Sequence, residues 1–145
     1  MAKTFTDLTR HALNGATMGT RWSALFHMPA DFDVRPVERA MAQAVTEVDA
    51  QMSTWKADSD LMRLNAAPTG AWVELPAALM TVLEAGLAIG RASDGAFDIA
   101  MGDAVAAWGF GPQAAEESRI RAALSTTRPA AHDVVELDTA AGRAR

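Results

Sequence analysis

Ser93-Asp94-Gly95-Ala96-Phe97-Asp98-Ile99-Ala100-Met101-Gly102, continuing through Asp103-Ala104-Val105-Ala106-Ala107-Trp108 into Gly109-Phe110-Gly111-Pro112, reads as the end of one helix, a turn at Asp94-Gly95, and a second helix of small residues closing on an aromatic and glycine loop. A carboxylate, Asp98, arrives inside this otherwise apolar segment. Gly95 is free to take the left-handed backbone that commonly ends a helix, and the glycines around Phe110 let backbone approach a ligand with no side chain in the way.

Working outward, the segment leading into this stretch is a helix opened by Pro76, with Leu79, Val82, Leu83, Leu87 and Ile89 as its expected apolar side. Gly86 and Gly90 each weaken that helix by roughly 1 kcal/mol relative to alanine, which points to close packing at both positions. Ala71 to Leu75 is expected as a short strand after the turn at Pro68 to Gly70. Earlier, Val34, Val37, Met41, Val45, Val48 and Met52 recur at three or four residues, the strongest helical pattern in the chain. Asp33 is placed to cap that helix, and Pro36 falls in its first turn, where a missing N–H does little harm.

Ser53 to Lys56 reads as a loop, and either Asp58 or Ser59 can cap a short helix through Leu61, Met62 and Leu64. From Thr20 to His27, Trp22, Ala24 and Phe26 alternate with polar residues, as in a strand with one buried face; Leu25 is out of step. On the C-terminal side, Glu116 to Leu124 is expected as an exposed helix and Asp133 to Asp138 as a strand. Thr139 to Gly142 reads as a hairpin turn whose returning strand the chain stops too early to build.

The 145 residues suit one ordinary domain, long enough to bury about two thirds of the surface of the unfolded chain. Half the residues are hydrophobic, so disorder is not the expectation. A net charge of −5 without a clustered Lys/Arg run argues against nucleic-acid and anionic-membrane partners, because such binding rests on neutralising phosphates. The absence of cysteine excludes disulfides, thiolate catalysis and cysteine-ligated zinc. Met1 to Ala16 has no sustained apolar core of the secretory-signal kind, and no run approaches the ~20 apolar residues of a membrane span. A cytoplasmic protein is the expectation as written.

Three ordered pieces carry a family resemblance: Gly15-Ala16-Thr17-Met18-Gly19-Thr20, Met52-Ser53-Thr54-Trp55-Lys56-Ala57-Asp58-Ser59-Asp60-Leu61-Met62-Arg63-Leu64-Asn65, and the stretch around Ala96-Phe97-Asp98. In order and spacing, from Asn14 to Pro112, they resemble the FAD:protein FMN transferases, the ApbE-like proteins. The resemblance implies an α+β fold, with residues 1–145 as a single partial domain, apparently truncated after its N-terminal half. It implies magnesium-dependent transfer of FMN from FAD to a threonine or serine hydroxyl of an acceptor flavoprotein, with release of AMP. Respiratory or other redox complexes are the implied acceptors. Many relatives are exported, so a periplasmic protein lacking its leader is the alternative to a leaderless branch.

The same resemblance places Met18, Trp55, Ala96, Phe97 and Asp98 at the flavin. An indole at Trp55 can stack on a flavin or adenine ring; the ordinary alternative is a tryptophan packed in the core. Ala96 permits close approach, Phe97 offers apolar contact, and Asp98 can accept from a ribose hydroxyl or an N–H of the ligand. The plainer reading of Asp98 is a cap for the helix that follows. Asp58, Asp60, Asp94 and Asp103 have no metal-motif spacing, and the family's Mg²⁺-binding segments normally lie beyond this part of the chain, so neither metal ligand nor catalytic base is nominated. His11, His27 and His132 match no histidine metal motif. Two other functions compete: a flavin carrier that delivers the cofactor without chemistry, and an inactive fragment whose terminal strand is unpaired.

Overall fold

A computed structural model describes residues 8–145, so the first seven residues of the Met1 to Ala16 reading lie outside the described part. Helices and small antiparallel sheets make an α+β architecture, as expected. The chain divides into two compact units, Met1–Asp49 and Ala50–Arg145. No helix among the described residues is long and apolar enough to cross a membrane.

The first unit contains a hairpin of β1 (Leu8–Thr17) and β2 (Thr20–Pro29). Thr17 pairs with Thr20, leaving Met18-Gly19 as a two-residue turn with φ of 42° and 71°. Positive φ at both central positions is the type I′ geometry, whose twist matches that of the flanking strands. Trp22, Ala24, Phe26 and Met28 lie on the more buried face and Leu25 points to solvent, as the alternation predicts. The partner strand was not foreseen. Its Gly15 stands opposite Trp22, and a Cβ there would come within 2.5 Å of the indole nitrogen, so the glycine is the space the ring occupies. The first helix, α1 (Arg35–Met52), begins two residues after Asp33, whose carboxylate accepts the Arg35 N–H at 3.1 Å and so supplies the predicted N-terminal acceptor.

The second unit holds α2 (Asp60–Ala66), β3 (Val73–Glu74), α3 (Ala77–Ala92), α4 (Gly102–Ala107), α5 (Glu117–Ser125), α6 (Ala131–Val134), β4 (Leu137–Asp138) and β5 (Arg143–Ala144). Leu75, Leu79, Met80, Leu83 and Ala144 form its buried centre, with Met52, Leu61, Leu64, Ile99 and Leu137 packed around it. Burying a leucine such as Leu79 contributes about 2 kcal/mol. The buried stripe of α3 is Leu79, Met80, Leu83, Gly86, Leu87 and Gly90, a run at three- and four-residue spacing. It corrects the expected side: Val82 and Ile89 are half-exposed, because the stripe follows the two glycines. Those glycines do serve close packing, since a Cβ on Gly86 would lie 2.7 Å from Ile99 Cγ2 and one on Gly90 3.3 Å from the Phe97 carbonyl oxygen.

Two expectations near the C-terminus are corrected. Residues 131–134 form a helical turn, leaving only Leu137–Asp138 of the predicted strand. The returning strand does exist: β5 lies between β3 and β4 and pairs antiparallel with both. Arg143 within it and Arg145 just after it hide it from a hydrophobicity reading. Arg143 pairs with Asp138 at 2.9 Å and Arg145 with Glu136 at 2.7 Å, and both guanidinium groups lie over the Trp72 ring, within 4.8 Å of its centroid. Paired charges and cation–π contact thus replace apolar burial on that side of the strand.

Candidate functional site

The loop between α1 and α2 is built on two buried serines. Ser53 and Ser59 are each about 1% exposed, and the Ser59 hydroxyl donates to the Ser53 carbonyl at 2.8 Å while accepting the Met62 N–H at 3.1 Å. Ser59 is therefore the cap of α2, and the choice left open with Asp58 is resolved. The Ser53 hydroxyl accepts the Trp55 N–H at 3.1 Å, fixing the backbone from which the indole projects. Trp55 is 49% exposed, so it is not a core tryptophan.

The second loop follows α3. Asp94 takes the left-handed position just past the helix, with φ of 51°, and its N–H bonds to the Arg91 carbonyl; the Gly95 N–H reaches back to the Gly90 carbonyl at 3.0 Å. This pair of bonds is the Schellman arrangement, so Asp94 as well as Gly95 adopts positive φ. The Ser93 hydroxyl then accepts the Phe97 N–H at 3.1 Å, and Phe97 stands 45% exposed with Ala96 beside it.

Asp98 does not cap the helix that follows. That helix, α4, starts four positions later, with Met101 as its N-terminal flank and no capping side chain. Asp98 Oδ1 instead accepts the Ala100 N–H at 2.7 Å, and Oδ2 accepts the N–H of Ala131, 33 residues away, at 3.1 Å. Ala131 is the first residue of α6, whose own flanking residue, Ala130, has no side chain to offer.

Between the two loops' flanks runs a cleft of about 500 Å³, a volume suited to a small molecule. Met52, Leu61, Leu64 and Asn65 from around the first loop, Leu79, Val82 and Leu83 from α3, Ile99 and Ala100 from the second loop, and Val135 and Arg145 line it. The lining is apolar apart from Asn65 and Arg145. Trp55, Ala96, Phe97 and Asp98 stand in the loops that supply the walls and are not themselves lining side chains. Met18 belongs to the hairpin turn of the other unit, where it is half-buried. The cleft's two polar groups were missed: Asn65 closes the second family-like piece and could have been singled out, whereas nothing in the sequence marks Arg145.

Two of the four acidic residues weighed as metal ligands are paired with arginines. Asp60 pairs with Arg63, and Asp103 with Arg128, whose hydrogen bond holds the Asp103 carboxyl below its ordinary value, against some opposition from burial. Among the described residues no group of three or more His, Asp or Glu is gathered to hold a metal ion.

The ApbE family's sequence profile matches residues 18–144. The FAD:protein FMN transferase of Klebsiella pneumoniae is 41% identical over 106 residues, covering 72% of this chain and 30% of that protein. The protein of the same name from Escherichia coli K12 is 37% identical over 104 residues, covering 70% of this chain and 29% of the relative. Among solved structures, the flavinyl transferase ApbE of Pseudomonas stutzeri, in its apo form, matches with a TM-score of 0.72 at 28% identity, over 98% of this chain and 46% of that one. The flavin transferase ApbE of Vibrio cholerae has a TM-score of 0.77 at 22% identity, a likeness of fold. The chain thus spans under a third of the curated relatives' length and under half of the solved chains. With a profile match across most of its length, the chain belongs to the ApbE family.

Proposed function

We propose that residues 1–145 are part of an FAD:protein FMN transferase domain and provide flavin-binding surface for it. The observation that carries this reading is that two family-like pieces both contribute lining to one apolar cleft, and each carries a half-exposed aromatic ring in the adjoining loop. A flat, weakly polar isoalloxazine suits such a lining, and Trp55, Phe97 and Ala96, in the loops next to the lining residues, are the further contacts proposed for it, Trp55 by stacking, Phe97 by apolar contact and Ala96 by close approach. Asn65 and Arg145 are the groups available to orient polar atoms of the ligand. Met18 is the further proposed contact.

The reaction proposed for the whole transferase joins the oxygen of an acceptor threonine or serine hydroxyl to the phosphorus of the FMN half of FAD. The bond from that phosphorus to the bridging oxygen breaks, AMP leaves with the oxygen, and the hydroxyl proton is lost. Mg²⁺ would neutralise phosphate charge in that step. The described residues gather no carboxylate set for it, so no step is assigned to the metal here. This chain's part is to bind the ring, orient it and exclude water from one side.

Titrating FAD with folded protein, followed by flavin fluorescence and calorimetry, tests the reading. Saturable quenching with heat release is expected, and Trp55→Ala should weaken binding by about tenfold, the worth of one stacked aromatic contact. Absence of both signals would overturn it. AMP release with Mg²⁺ and an acceptor flavoprotein separates a transferase from a flavin carrier, which would keep its flavin intact.

A further inference from the structure

We infer that Asp98 is a positioning residue, a clasp that joins two walls of the cleft by holding the N–H of Ala131; the inference rests on the flavin-site reading above. The Ala131 N–H, from a different part of the chain, lies 3.1 Å from Oδ2 and 3.3 Å from Oδ1, and Oδ1 also accepts the Ala100 N–H within its own loop at 2.7 Å. The residue after Asp98 and the one after that, Ile99 and Ala100, line the cleft. Val135, the residue just past α6, lines it as well. The clasp thus ties together two segments that each contribute to the cleft lining.

The tie is needed because α6 has no local means of starting. It is only four residues long, its flanking residue is an alanine, and a helix of one turn gains too little from its own hydrogen bonds to form unaided. A charged acceptor at its first N–H supplies what the sequence around it lacks. Ala131 is buried, so without Asp98 its N–H would lose its acceptor away from water, a costly state for a backbone donor. A direct bond from Asp98 to a ligand hydroxyl would have to compete with two backbone donors already in place.

Three measurements on the full chain test the clasp. Asp98→Ala takes both acceptor oxygens away from the Ala131 N–H, so hydrogen exchange at the Ala131 amide should accelerate by about tenfold or more. Binding of FAD and of lumiflavin, which is the isoalloxazine without ribityl chain or ribose, should weaken by the same factor, about tenfold. Ala131→Pro removes the N–H but leaves Asp98 intact, at a position where proline suits a helix start and after a residue already extended at ψ 141°. It should weaken lumiflavin similarly, and the double variant should be no worse than either single one.

Loss of FAD affinity with lumiflavin affinity unchanged in Asp98→Ala would overturn the clasp in favour of direct ligand contact. Unchanged exchange at Ala131 in that variant would also overturn it. Should Ala131→Pro fail to fold, Asp98→Asn takes its place: it keeps one acceptor oxygen near Ala131 and should weaken both flavins less than Asp98→Ala does. Failure of the wild-type chain to take up either flavin would instead overturn the flavin-site reading, and the functional part of this assignment with it.

Discussion

Trp55 and Phe97 both stand half-exposed on loops of the Ala50–Arg145 unit, yet the bonds that hold those loops differ in reach. The Trp55 loop is closed by its own residues: Ser53 and Ser59 are six apart, and every bond named for them ends between Ser53 and Met62. The Phe97 loop begins in the same local way, with the turn at Asp94-Gly95 and the Ser93 hydroxyl, but its far end is tied to Ala131. A loop closed locally keeps its shape whatever the rest of the unit does. A loop closed at long range changes shape when a distant segment moves, which makes the Phe97 side of the cleft the adjustable one.

The local lock is the place to break the comparison most severely. Ser59→Ala removes an N-terminal cap and leaves the buried Ser53 carbonyl without the hydroxyl donor, so a loss of about 2–3 kcal/mol is expected. Urea unfolding with an unchanged slope would check it. Ser59→Thr keeps the hydroxyl and should recover part of the loss, less the crowding of a methyl group at a site about 1% exposed. A loss under about 0.5 kcal/mol in Ser59→Ala would show that the Trp55 loop, too, is held from elsewhere.

What could be read from the sequence follows the same division between near and far. The α1 helix, the opening of α3 at Pro76 and the alternation of Trp22, Ala24 and Phe26 are all set by neighbours a few residues away, and each was legible; the α2 cap was narrowed to Asp58 or Ser59, and Val48 of the α1 pattern is exposed. The glycines of α3 announced close packing, but not that Ile99 and Phe97 were the partners. Val134-Val135 reads as strand because β-branched residues favour it; the cap from Asp98 makes a helical turn there, and nothing near residue 131 signals it. Arg143–Ala144 is hidden as a strand because it is flanked and filled by arginines, Arg143 held by Asp138 and Trp72 and Arg145, just after it, by Glu136 and Trp72. The family-like pieces point to Trp55 and Phe97, both half-exposed, whereas the bond Asp98 makes depends on an N–H in another segment.

Gly86→Ala sharpens the comparison from the α3 side. The new methyl would sit 2.7 Å from Ile99 Cγ2, too close for either group, so Ile99 must shift on the cleft wall. Overpacking of this kind costs about 1–3 kcal/mol, and alanine returns about 1 kcal/mol of helix propensity, leaving a net loss near 1 kcal/mol. A fall in Tm of a few degrees is expected. A stabilised variant would mean that Ile99 yields freely and that the wall is looser than the clasp requires.

The smallest effect concerns a second long-range tie. Arg128, in the segment before α6, donates to Asp103 in α4, and this hydrogen bond is the main reason the Asp103 carboxyl titrates below its ordinary value of 3.8. A carboxyl depressed by folding stabilises the protein above its unfolded-state value, and that contribution is lost as pH falls through the lower folded-state value. Asp103 is 61% exposed, so solvent screening limits the pair to about 0.5 kcal/mol. Asp103→Asn should therefore cost about that much at pH 7, with the gap to wild type closing below about pH 4 and narrowing in 1 M salt. Arg128 also donates to the carbonyls of Ala123 and Thr126, so its segment stays anchored when Asp103 is neutralised, unlike α6, for which the cap at Ala131 comes from Asp98. A gap much larger than 0.5 kcal/mol, or one that persists at pH 3, would place Asp103 alongside Asp98 as a support of the adjustable side of the cleft.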